Sequence, residues 1–88
     1  MDFEWDEDKR LKNIEKHGID FYDADIVFEG PLLVGSARTV EGETREQAVG
    51  MLDDIHVATV YTWRGSIGRI ISMRRARHEE RRKYQESF

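Results

Sequence analysis

Between Pro31 and Arg74 the chain alternates β-rich runs with short turn signals, and this alternation limits the fold more than any other feature. Leu32–Ala37 is the first run. Gly42-Glu43-Thr44-Arg45 reads as a turn leading into a strand that continues to about Leu52, and Asp53-Asp54 is a tight turn. His56–Trp63 is rich in Val, Thr and Tyr, which fit a pleated, half-buried surface. Arg64-Gly65-Ser66 turns again before Ile67–Arg74. Four strands joined by turns this short imply an antiparallel meander.

Helical signals flank the meander. Phe3-Glu4-Trp5 alternates briefly, as an edge strand does. Asp6-Glu7-Asp8 places acid where a helix has unpaired N–H groups and a positive dipole. Leu11 and Ile14 share one face and Gly18 is the expected left-handed stop, which predicts a helix over Asp6–His17. Asp20 can cap a second helix that buries Phe21, Ala24 and Phe28 and ends at Gly30-Pro31. A last, basic helix spans about Arg77–Glu86. The expected class is α+β: a small four-stranded antiparallel meander plus a short N-terminal edge strand, two N-terminal helices packed on it and a C-terminal basic helix. Eighty-eight residues fit one domain.

Charge is sharply segregated. Residues 1–63 carry 6 Lys+Arg and 15 Asp+Glu, and residues 64–88 carry 8 Lys+Arg and 3 Asp+Glu. The halves are therefore −9 and +5, which sum to the net −4. A concentrated cationic surface on an acidic protein suits a phosphate-rich partner; the plain reading is two solvated faces that neutralise each other. With no cysteine, disulfides and thiolate metal sites are excluded. No apolar run approaches the roughly 20 residues of a membrane span, and the acidic Met1-Asp2-Phe3-Glu4 does not read as an export signal, so a cytoplasmic protein is expected.

Five fragments, in order, resemble the BrnT family of toxins. They are Phe3-Glu4-Trp5-Asp6 with Lys9, Asn13, Lys16-His17-Gly18, Phe21, Ala24 and Val27-Phe28; Gly42-Glu43-x-Arg45 with Gly50; Val60-Tyr61-Thr62-x-Arg64-Gly65; Arg69-Ile70-Ile71-Ser72-x-Arg74-x-Ala76; and Glu80-Arg81 with Tyr84. The resemblance covers essentially the whole chain. It implies a fold similar to the RelE-type toxins and a bacterial type II toxin–antitoxin function. In that function the toxin cleaves RNA without a cofactor and a separately encoded, BrnA-like antitoxin blocks it in a hetero-oligomer. The chain departs from the family pattern at Met73, where a small residue is usual, and at Arg77, where a Thr would cap the last helix. Losing that cap costs on the order of 1 kcal/mol unless another group substitutes.

Metal-free RNA cleavage needs a base for the attacking 2′-hydroxyl, fixed positive charge at phosphorus, and an acid or cation for the leaving oxygen. Arginine suits the charge because its planar fork meets two phosphate oxygens at once. Arg64 follows a strand beside Gly65, Arg74 ends the next strand, and Arg45 begins the strand before. Neighbouring strands would let these three converge on one sheet surface; otherwise each is a surface arginine paired to a carboxylate. His17 is the proton-transfer candidate, since imidazole titrates near neutrality, or else a helix stop before Gly18. Lys16 has the same double reading, as RNA contact or cap.

Glu43 shares a strand side with Arg45 and can orient it, act as base, or form a plain surface pair. Arg77, Arg81 and Tyr84 follow i, i+4, i+7 spacing, so one helix face can carry RNA with Tyr84 stacking on a base. Alternatively Tyr84 packs on the sheet. Glu80 is set to pair with Arg77 or Arg81. His56 and His78 lack partners at metal-ligand spacing and read as surface groups, so no metal is assigned. Two functions remain open beside the ribonuclease: a non-enzymatic module that holds an antitoxin-like DNA-binding protein in transcriptional autoregulation, and nucleic-acid binding without cleavage. DNA would be reached only through the antitoxin, and no membrane is expected.

Overall fold

A computed structural model describes residues 2–35 and 38–88. Helix α1, Glu7–His17, begins and ends where its caps dictate. The Asp6 carboxylate accepts from the Lys9 N–H at 3.1 Å, and Gly18, at φ 70°, donates its N–H to the Ile14 carbonyl at 2.8 Å. Its inward face is not the expected one. Leu11 is 53% exposed, while Asn13 is buried. The second helix divides into a 3₁₀ turn, Phe21–Asp23, and α2, Ala24–Glu29. Asp20 caps that turn by accepting from the Tyr22 N–H, and Phe21, Ala24 and Val27 are buried while Phe28 is only half-buried.

The sheet has six strands rather than the expected four and an edge: β1 Asp2–Glu4, β2 Leu33–Val34, β3 Arg38–Val40, β4 Glu43–Leu52, β5 Ile55–Arg64 and β6 Ile67–Arg75. Their order is β1-β6-β5-β4-β2, with β3 also on β4. The β4–β5–β6 meander is antiparallel as expected, but β1 lies parallel to β6, so the sheet is mixed. Alternation in Phe3-Glu4-Trp5 marks a strand without naming its partner, which lies more than sixty residues on. The run expected over Leu32–Ala37 contributes only β2, and Ser36 and Ala37 lie outside the described residues. Glu41 and Gly42, both at positive φ (51° and 79°), make the two-residue turn between β3 and β4.

Two layers cover the sheet. On one face α1, the 3₁₀ turn and α2 bury Phe21, Ala24 and Val27 against Ala48, Val57, Tyr61, Ile70 and Met73. Gly50 lets α2 come close, because a Cβ there would stand 2.8 Å from Leu32 Cδ2 and 2.9 Å from Val27 Cγ1. Met73, unusual for its size, is fully buried in this layer. Asn13 closes the β6 edge beyond β1. Its amide donates to the carbonyls of Met73 (2.8 Å) and Ile19 (2.9 Å) and accepts from the Met73 N–H (3.2 Å). One side chain thus stands in for a strand residue.

On the opposite face α3, His78–Ser87, covers only the Val49–Ala58 end, where Tyr84 is buried and donates its hydroxyl to the Pro31 carbonyl at 3.0 Å. Arg77 occupies the cap position and has no acceptor to offer. The return half of a capping box survives, with Glu80 Oε1 accepting from the Arg77 N–H at 2.7 Å.

Candidate active site

The part of the second face that α3 leaves open is a field of polar side chains. Strand residues alternate between faces, so the registers fix which groups share it. Arg38 lies opposite Arg45 and Arg45 opposite Thr62; Gln47 lies opposite Val60 and Val60 opposite Ser72; Ala58 lies opposite Arg74. Arg64 is on the same side as Thr62, two residues along β5. The three arginines named from sequence therefore share one surface, and Arg38 joins them. A recess of about 290 Å³, lined by Arg38, Val40, Arg45, Glu46, Gln47 and Val60, opens among them.

Two carboxylates organise the guanidinium groups. Glu43 stands between Arg45 and Arg64, with Oε1 3.5 Å from Arg45 Nε and Oε2 3.7 Å from an Arg64 nitrogen. These contacts are loose, and Arg64 is 56% exposed. The second arrangement is tight. Glu80 receives both terminal nitrogens of Arg74, at 2.8 and 2.9 Å, and the Gln47 amide at 2.6 Å. Arg74's hydrogen bonds, with further ones from the Arg77 N–H and Gln47, hold the Glu80 carboxyl at about 2, well below the carboxylate range. The same pair pushes Arg74 up, so its charge is fixed. Glu80 was expected to pair with Arg77 or Arg81; Arg74 takes it because β6 runs directly into α3 and points that guanidinium at the helix's first turn.

Arg64 and Arg74 are not adjacent. Ala58 faces Arg74, and Arg64 lies six residues further along β5, roughly 20 Å at about 3.3 Å per residue. Gln47 spans part of the gap: it follows Arg45 on the same strand side, and its Oε1 lies 3.5 Å from Arg74. The face thus runs from Arg64 through Glu43, Arg45 and Gln47 to Arg74.

His17 and Lys16 lie elsewhere. With Lys9, Lys12, Asn13, Ile71 and Ser72 they line a groove between α1 and β6, and none of the sheet's arginines is among its lining. Arg77 and Arg81 are exposed, but Tyr84 is buried, so the three do not present one face. Arg77 is the cap residue of α3, and the Tyr84 ring serves α3 docking, edge-on to His56 at 5.4 Å.

Two residues of the arginine surface, Arg38 and Gln47, and Asn13 of the α1–β6 groove escaped the sequence reading. Arg38 sits in a strand of three residues, too short for periodicity to register. Gln47 was signalled by the polar alternation Glu43-x-Arg45-x-Gln47, which marks a strand face turned away from the core. Asn13 has no local signal, because its partner is remote in sequence. Among the described residues, no helix is long and apolar enough to cross a membrane.

Comparison with curated proteins gives no match. The family profile described as "Ribonuclease toxin, BrnT, of type II toxin-antitoxin system" matches residues 5–80, a span that contains every arginine, glutamate and histidine of both surfaces. The chain belongs to the BrnT family of type II toxin–antitoxin ribonuclease toxins.

Proposed function

We propose that this protein is an endoribonuclease that cleaves cellular RNA by metal-independent transesterification until a BrnA-like antitoxin covers it. The observation that carries the reading is the gathering of Arg38, Arg45, Arg64 and Arg74 on one sheet face. In the reaction, a base takes the 2′-hydroxyl proton, the 2′-oxygen attacks the adjacent phosphorus, the bond to the 5′-oxygen breaks and that oxygen leaves as a hydroxyl on taking a proton from water, and a 2′,3′-cyclic phosphate remains. Arg45 and Arg64, oriented by Glu43, hold the scissile phosphate's non-bridging oxygens, where preorganised charge acts on the developing dianion. Arg74, braced by Glu80, holds a neighbouring phosphate of the strand. Glu43 and His17 compete for the role of base. Glu43 lies inside the arginine group, whereas His17 reaches the RNA only if the strand bends over the β6 edge. Two helices on one sheet face and a third on the other fit a fold akin to the RelE-type toxins.

Expression in bacteria without partner tests this. Growth arrest with RNA loss is expected for the wild type and not for Arg45→Ala, Arg64→Ala or Arg74→Ala. A stable, soluble wild-type chain that leaves RNA and growth untouched overturns it. That outcome supports a second reading, a non-enzymatic module that binds its antitoxin and acts in transcriptional autoregulation. The carboxylate partners of Arg45, Arg64 and Arg74 favour it, since paired arginines also serve as structural contacts.

A further inference from the structure

We propose that the groove between α1 and β6 is a second phosphate-binding surface, a track for the backbone of single-stranded RNA leading away from the arginine face. The proposal rests on the ribonuclease reading for the identity of its ligand. The groove is about 290 Å³, and every ionisable side chain that lines it is basic: Lys9, Lys12, Lys16 and His17. This is unexpected in a segment whose first 63 residues sum to −9.

Two acids of the same region, Glu7 and Asp20, are turned away from the groove. They are held by Arg10, at 2.6 and 3.0 Å, on the side of α1 that meets Trp5 and Tyr22. Among the described residues, no carboxylate lies within 4 Å of a lysine amine, whereas Arg45, Arg64, Arg69 and Arg74 are all paired. The sheet arginines are thus partly neutralised before any ligand arrives, and the groove lysines are not. The carbonyl end of α1 contributes roughly −0.5 charge, which the Lys16 ammonium outweighs.

The shape fits an extended polyanion. Lys9 to Lys16 spans two helical turns, about 10 Å at 1.5 Å per residue. Ile71 gives the groove an apolar wall against which a ribose or base can lie, and Ser72 adds a hydroxyl. Ser72 and Arg74 are two apart on β6 and share a strand side, about 7 Å from one another. One RNA strand seated at Arg74 therefore meets Ser72 and enters the groove without turning back.

The test is binding of a 2′-O-methylated single-stranded RNA, which has no attacking hydroxyl, by fluorescence anisotropy across a salt series. Each phosphate contact contributes a slope of about −0.7 in log K against log salt for single strands. Lys9→Gln/Lys12→Gln/Lys16→Gln should flatten the wild-type slope by about 2, while the arginine triple Lys9→Arg/Lys12→Arg/Lys16→Arg keeps it. Lys12→Glu alone should weaken binding several-fold at low salt. An unchanged slope in the glutamine triple overturns the track, even if wild-type protein cleaves RNA. An unchanged slope with weakened antitoxin binding overturns it in favour of a protein interface. A lysine-dependent slope in a protein that never cleaves unmodified RNA sinks the nuclease reading and leaves the track standing.

Discussion

Asn13 is the residue on which the edge of the sheet depends. Its amide makes three hydrogen bonds to buried backbone, one to Ile19 and two to Met73. Removing one partner of a buried hydrogen bond costs about 1–3 kcal/mol. Asn13→Ala should therefore destabilise by about 3 kcal/mol, seen as a lower urea midpoint, with most of the loss persisting in Asn13→Leu. Glu80 gives a pH signature. Its carboxyl lies at about 2 in the folded protein, depressed mainly by Arg74, against an ordinary 4.5. A depressed carboxylate contributes stability that is complete above the unfolded value and lost as pH falls through the folded one. Wild type should lose its advantage over Glu80→Gln between about pH 4.5 and pH 2, and unfolding midpoints at pH 6 and pH 3 check this.

Among the elements, α3 starts without a side-chain acceptor at its cap position. Arg77 sits in extended backbone at the cap, φ −74° and ψ 164°, the conformation a capping Thr adopts, but offers the first turn no acceptor. Arg77→Thr should raise stability by about 1 kcal/mol, read as a higher thermal midpoint. The ends of α1, the turn at Asp53-Asp54 and the β4–β5–β6 meander were legible in the sequence, because caps, turn residues and alternation are local signals. The parallel seat of β1, the splitting of the second helix and the burial of Asn13 in place of Leu11 were not. Each depends on a partner distant along the chain, and periodicity carries no record of it. The site followed the same rule. Arg45, Arg64 and Arg74 were legible as residues on neighbouring strands, whereas the Glu80–Arg74 clamp required knowing how α3 leaves the sheet.

At the scale of the molecule, one edge of the sheet is closed by the N-terminal segments. The β6 edge is covered by β1 over Ile67–Arg69 and then by Asn13 at Met73. Deleting residues 2–5 should expose the Ile67–Arg69 edge and leave Phe28 without its edge-on partner Phe3, 5.0 Å away. An unpaired edge invites strand-to-strand association, so the truncated protein should show a lower thermal midpoint and higher-order species in light scattering. The same pairing constrains how the protein is made. Glu4 meets Arg69 across 65 positions and Asn13 meets Met73 across 60, so translation delivers both early segments long before their counterparts exist. A nascent chain that stops short of Arg74 lacks the strand that carries it, and with it a completed fold. The arginine face and the Asn13 seal on the β6 edge are therefore completed together, only once β6 has been made.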